Sequence, residues 1–377
     1  MKPIAVLLCL LCCLPLCAGC WDMKEINELA IVNLGAADKD PETGKITAYY
    51  QVINPSSLSN RPGAAKAAVY TFKFEDISLG RFTKQTTTLM PRRLFMPHMQ
   101  VLILSERYAK QGIEDMLNFV EMSPDRRTNI LFLIAESSIE TLLNSFSPLE
   151  RMPGRYIRSL LDLSDNGYGF GTPEPIRVKN LVIGLYRKQA TVIPLIRYTS
   201  PQPAEVTDRL EEVNIRKQSF LFAGGAVLVQ GRMVGKIDFE QKQLNFILNK
   251  HVTSTLFTLQ VDGGSVDVEA NGIRIKRRFG ADGADYRLHA DLRIVNNGQS
   301  VPVTIRNMRE VEEAFDRYFE KQADALFRSG AAKGWDLLGL QDHGVKDWRS
   351  AKVTFDMRSE TSSVGNTNGP LRSERRN

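Results

Sequence analysis

The chain has 377 residues, 43% of them hydrophobic and 24% charged, with a net charge of +6; this is the make-up of a globular protein long enough for two or three cores. No dense Lys/Arg block with interleaved aromatics occurs, so the mild positive charge excludes a nucleic-acid interface and gives only weak support for contact with anionic lipid heads. All five cysteines fall at positions 9, 12, 13, 17 and 20, which leaves the body of the protein without a disulfide or a thiolate metal site.

The first element is an apolar run from Ile4 to Leu16 behind a single charge, Lys2. It is shorter than the roughly 20 residues a spanning helix needs and reads as an export signal, residues 1–19. Small residues Ala18 and Gly19 stand before Cys20, an arrangement that resembles the bacterial lipobox, although Cys17 occupies the place where leucine is usual. The resemblance implies that Cys20 carries a diacylglyceryl group and becomes the new amino terminus. Two acyl chains hold a protein at a membrane stably where one holds it only reversibly, so no spanning helix is needed.

Next, Lys24 to Leu29 predicts a short helix or an extended lead-in, LAIVNLGA (29–36) a buried strand, and DKDPETGK (38–45) a turn into a second strand, ITAYYQVIN. After a loop of small residues, VYTFKFED (69–76) alternates at Tyr70, Phe72 and Phe74. The pattern then becomes mixed: helix over 78–89, strand over 99–106, one amphipathic helix over 107–121 with Ile113, Met116, Leu117 and Val120 on a face, strand over 130–136, and helices over 138–144 and 153–163. SDNGYGFGTPEP (164–175) has the composition of a mobile loop. YTSPQPAEVTDR (198–209) has that of a linker.

In the second half, FLFAGGAVLVQGRMVGKIDF gives a hairpin around Gln230-Gly231-Arg232, followed by a short helix over 241–248. Turn sequences at 261–264, 270–272, 281–285 and 296–298 then predict an antiparallel meander. A long helix over 307–329 carries Val311, Phe315, Tyr318, Phe319, Gln322 and Leu326 on one side. The strand AKVTFDMR alternates Val353, Phe355 and Met357 against Lys352, Thr354, Asp356 and Arg358. A polar tail follows from Glu360 and reads as disordered. The fold class is therefore α+β and multidomain. A mixed α/β N-terminal region over 20–198, open to division into two subdomains, leads through a linker at 199–216 to an antiparallel meander packed with one long helix over 217–359, and the tail covers 360–377.

Chemistry-bearing motifs are few. No phosphate loop, nucleophile elbow, HExxH or EF-hand loop occurs. The glycine-rich GYGFG at 167–171 lacks the strand-then-helix setting of a nucleotide loop. His98, His251, His289 and His343 lack ligand spacing, and the pairs Glu211-Glu212 and Glu312-Glu313 point apart on a helix. The expectation is a binding or assembly protein with no cofactor, no metal and no catalytic residue.

Taken together, CWDMKEINELAIVNLGAADKD (20–40), AGGAVLVQGRMVGKID (223–238), GWDLLGL (334–340) and Trp348 before the last strand resemble the Ger(x)C-type proteins, the C-subunit lipoproteins of bacterial spore germinant receptors. The stretch between GWDLLGL and the last strand is abbreviated relative to the expected pattern. The resemblance implies a non-enzymatic receptor subunit, lipid-anchored through Cys20 on the outer face of the spore inner membrane. It would assemble there with integral-membrane A- and B-type subunits in the response to nutrients. The alternative reading is a lipid-anchored solute-binding protein of a transporter, which would need two similar lobes around a cleft.

Overall fold

The computed structural model describes residues 25–58, 68–122, 127, 129–145, 150, 152–162, 176–199, 220–250, 252, 254–262, 264–298 and 305–364. The export signal, Cys20, GYGFG and nearly all of the linker lie outside them.

A 3-10 turn, Ile26–Glu28, leads into β1 (Leu29–Lys39), which pairs antiparallel with β2 (Ile46–Ile53), and β2 with β3 (Val69–Asp76). The β1–β2 turn is set by Asp40, whose carboxylate accepts from the N–H of Glu42 (2.8 Å) and Thr43 (3.0 Å), with Gly44 at φ +68°. Next come α1 (Phe82–Leu89), β4 (Arg93–Phe95) and β5 (Val101–Ser105). The single helix expected over 107–121 is two, α2 (Glu106–Gln111) and α3 (Glu114–Glu121). Gly112 between them adopts φ +115°, and the Ile113 N–H bonds Gly231 across the fold instead of continuing the helix.

Four further elements are β6 (Leu131–Ala135), α4 (Ile139–Leu143), α5 (Pro153–Asp162) and α6 (Val178–Leu185). Strand β7 (Thr191–Tyr198) contains Pro194 and pairs with β6 over only two residue pairs, both beyond the proline. Neither α6 nor β7 is anticipated by the sequence reading. The hairpin β8 (Phe220–Val229) and β9 (Arg232–Ile237) turns at Gln230 and Gly231, both with positive φ, the geometry of the tight turns that match strand twist.

These strands form one nine-stranded sheet in the order β3-β2-β1-β5-β6-β7-β8-β9, with β4 on the end of β1. Its centre, β1-β5-β6-β7, is parallel and the flanks are antiparallel hairpins. The sheet crosses the segment whose composition suggests a linker, because β7 before it and β8 after it are hydrogen-bonded neighbours. The central strands are buried on both faces, as parallel strands require. One face packs on α2, α3 and α6, the other on α4 and α5.

The helix α7 (Phe239–Leu248) opens with a capping box between Asp238 and Gln241. Seven consecutive residues, Lys242 to Leu248, are buried, so α7 has no solvent stripe; it is wedged between the first sheet and a second one. That second sheet runs β10 (Thr255–Val261), β11 (Gly264–Phe279), β12 (Gly283–Asn297), β13 (Lys352–Val364). The meander is antiparallel through β12, but β13 pairs parallel to it. The crossover that parallel pairing demands is α8 (Ile305–Lys333) with the loop after it. Strand β13 extends to Val364, so the first residues of the expected tail are ordered; 365–377 lie outside the described residues. Val311, Phe315, Phe319 and Leu326 of α8 are fully buried against the sheet, with Tyr318 and Gln322 at the margin. A single apolar cluster runs from Val192 and Val227 of the first sheet through α7 to β12 and α8. The halves share a core.

Candidate functional site

The residues singled out by sequence do not converge. Cys20, GYGFG, His251 and Glu211-Glu212 lie outside the described residues. His98 is exposed beside Phe95 (5.5 Å between rings), His289 sits 3.5 Å from Asp291, and His343 lies flat on Phe279 (3.9 Å) with Nδ1 2.8 Å from the Gly339 carbonyl. Glu312 accepts from the Thr361 N–H at 2.6 Å while Glu313 pairs with Arg317 at 3.4 Å. Among the described residues no three or more His, Cys, Asp or Glu stand close enough to hold a metal ion.

What does converge is GWDLLGL, at the joint between the sheets. α8 ends where Gly334 takes φ +75° and the Trp335 N–H returns to the Gly330 carbonyl at 2.8 Å. The Trp335 ring then lies against Gly235 of β9, with Lys333 Nζ 4.6 Å from its centre. Asp336, 2% exposed, accepts from the N–H groups of Leu340 (2.9 Å) and Gln341 (2.8 Å) and so fixes the turn. Burial raises its pKa against the pull of those N–H groups. Its carbonyl accepts from the Ala190 N–H (2.9 Å) at the start of β7. Leu337 O is shared by the side-chain amides of Asn245 (2.9 Å) on α7 and Asn249 (3.0 Å), the residue that caps its carboxyl end one turn later. Asp342 accepts from the N–H groups of Lys188 (2.9 Å) and Gln189 (3.0 Å). The segment thus fastens first sheet, α7 and α8 through hydrogen bonds that run from the buried Asp336 and Asn245 out to the exposed Asp342.

Beside this joint, between α6 and α7, opens a cleft of about 280 Å³. Its rim carries Arg177, Lys179 and Arg187, and its floor includes Gln189, Asn245 and Asn249 of the joint. Sequence reading finds neither the joint nor the cleft as a site. The signal available in the sequence is the pair of amides at 245 and 249, one turn apart at the end of a helix that closes on Phe246, Ile247 and Leu248.

Comparisons with known proteins agree on one family. The family model "Spore germination protein N-terminal domain" matches residues 22–198, and "Spore germination B3/GerAC like, C-terminal" matches 223–362. Spore germination protein KC of Bacillus subtilis (strain 168) is 24% identical over 40% of this chain, and the match spans 38% of that protein. Spore germination protein A3 of the same organism is 22% identical over 71% of this chain and 64% of its own length. The crystal structure of the GerBC protein covers 92% of this chain and 100% of its own at a TM-score of 0.49 and 11% identity.

Proposed function

We propose that this chain, which belongs to the Ger(x)C-type spore germination proteins, is the lipid-anchored C subunit of a germinant receptor. The observation that carries the reading is the pair of family matches, in order and covering both halves of the body. Cys20 is the acceptor of the diacylglyceryl anchor, and the protein sits on the outer face of the spore inner membrane. Among the described residues no helix is long and apolar enough to cross a membrane, which suits attachment through lipid. The nine residue-to-residue steps from Cys20 to Leu29 reach at most about 30 Å, so β1 starts close to the bilayer.

The subunit works by assembly, together with integral-membrane A- and B-type subunits, and not by catalysis. Its stiff joint is adapted to that role, since one continuous core makes the body a single platform for partners. The solute-binding alternative is disfavoured by the unlike halves, a nine-stranded mixed sheet against a four-stranded one with a long helix.

The test is made in spores. Cys20→Ala is expected to release a folded protein from the membrane fraction and to slow germination with the cognate nutrient. Crosslinking of the wild type is expected to capture a transporter-like membrane protein. Mass spectrometry showing an unmodified Cys20 thiol would overturn the anchor; capture of no integral-membrane subunit would overturn the assembly.

A further inference from the structure

The cleft between α6 and α7 has features that joint packing alone does not require. Arg177, Lys179 and Arg187 approach it from three points along 177–187, and among the described residues none has a carboxylate partner. Three cations face one concavity, so an anion entering it is attracted by all of them. Asp342, which bonds the backbone of this same segment, is turned to the N–H groups of Lys188 and Gln189 and does not line the cleft.

The amino terminus of α6 adds to the same field. Residues 176–178 run beside β6, with the Phe132 N–H on Ile176 O (2.8 Å) and the Val178 N–H on Ile130 O (3.1 Å), so the helix start is held rigidly. The Arg177 N–H is capped by Asn180 Oδ1 at 3.1 Å. The floor is fixed as well: Asn249 Oδ1 accepts from Gln189 Nε2 at 2.9 Å, and Asn245, 3% exposed, donates to Leu337 O. A concavity with a fixed polar floor, a cationic rim and a volume near the lower limit of small-molecule sites suits a compact oxyanion. Guanidinium groups match carboxylate and phosphate with paired hydrogen bonds.

We propose that this cleft binds a small oxyanion, a carboxylate or phosphate group, through Arg177 and Arg187 with Lys179 supplying further charge. The inference stands apart from the anchor and from the partner subunits, since it uses only residues of the folded body. An occupant would touch Gln189 and Asn249, the same side chains that fasten the joint.

Calorimetry on the purified full-length chain tests it, with inorganic phosphate and succinate as probes at fixed ionic strength in chloride, and vesicles containing phosphatidylglycerol as a third arm. Saturable binding of phosphate or succinate at a single site is expected. Arg177→Gln with Arg187→Gln should weaken it at least about tenfold, as loss of paired charge-assisted bonds implies. Asn180→Asp keeps the acceptor for the Arg177 N–H and favours the helix start while placing a negative charge at the rim. It should weaken binding too, and it decides the matter if the double variant does not fold. Lys276→Gln with Arg287→Gln, on the outer face of the second sheet, should leave binding unchanged. No saturable binding of either small probe, binding to vesicles alone, or equal loss from the 276/287 pair would overturn the proposal.

Discussion

Glu320 on α8 accepts a hydrogen bond from the backbone N–H of Met357 on β13 at 2.9 Å. Two turns back along the helix, Glu312 does the same for the N–H of Thr361 at 2.6 Å. Asp316, between them, faces Ser359. The spacing works because four helical residues rise about 6 Å and two strand residues about 6.6 Å, so carboxylates at every fourth position meet N–H groups at every second. β13 is the last strand of its sheet, and these acids occupy donors that would otherwise invite another strand. Glu312→Ala with Glu320→Ala should therefore cost about 1–3 kcal/mol per freed donor and promote self-association. Glu→Gln at both positions, which keeps an acceptor, should restore most of the loss. Sedimentation and urea unfolding of the two doubles decide it; equal behaviour would show that the acids do not seal the edge.

Asp316 makes the ladder sensitive to pH. Burial pushes its carboxyl up to about 6, against the pull of the Ser359 hydroxyl and N–H and with help from neighbouring Glu320 and Glu312. One carboxylate oxygen, Oδ1, is buried without a hydrogen-bond partner among the described residues. A carboxyl that binds its proton more tightly when folded adds stability as pH falls from about 6 toward its unfolded value of 3.8 and is a cost when ionised above that window. Asp316→Asn should flatten this contribution. Urea midpoints of wild type and variant measured from pH 4 to 7 should converge at the acid end and separate at neutral pH; parallel curves would refute it.

Lys242 on α7 is 0% exposed, its Nζ has no hydrogen-bond partner among the described residues, and it stands over the Phe239 ring at 4.4 Å. Burial pushes its pKa down to about 8. A lysine lowered in this way penalises the fold fully below about 8 and is relieved as pH climbs toward 10.5. Lys242→Met, of similar volume and able to lie on Phe239, should stabilise the protein at pH 7 by about 3 kcal/mol, at about 1.4 kcal/mol for each tenfold. The gain should shrink between pH 8 and 10. No gain at pH 7 would mean the ammonium is solvated in the folded state.

The parts of this fold legible in the sequence are those whose pattern is local. LAIVNLGA announces a buried strand because it is apolar without a break, and Val311, Phe315, Phe319 and Leu326 announce a helix face because they recur at its period. Strand β7 escapes because Pro194 stands in its middle, which on sequence rules argues against a strand. The parallel pairing of β13 is invisible because Val353, Phe355 and Met357 alternate identically in either direction. The break at Gly112 depends on Gly231, more than a hundred residues away, receiving the Ile113 N–H. For the same reason neither the joint nor the cleft could be read in advance: residues 177–192, 245–249 and 334–342 meet only in the folded chain. GWDLLGL is recognisable as a family motif, but that Asp336 ties off its own turn emerges only from the structure.

The joint itself can be tested through Gly235. A Cβ there would collide with the outer ring carbons of Trp335, and the indole has little freedom, held between β9 and the Lys333 ammonium. Gly235→Ala should destabilise the protein by about 1–3 kcal/mol, the usual cost of overpacking, and should shift the Trp335 fluorescence toward a more solvated spectrum. Trp335→Phe alone removes the colliding carbons at the cost of lost packing. Combined with Gly235→Ala it should be less harmful than the sum of the two changes, a coupling expected of residues in contact. If the two effects simply add, the ring moves aside freely, and GWDLLGL does not hold the sheets together through Trp335.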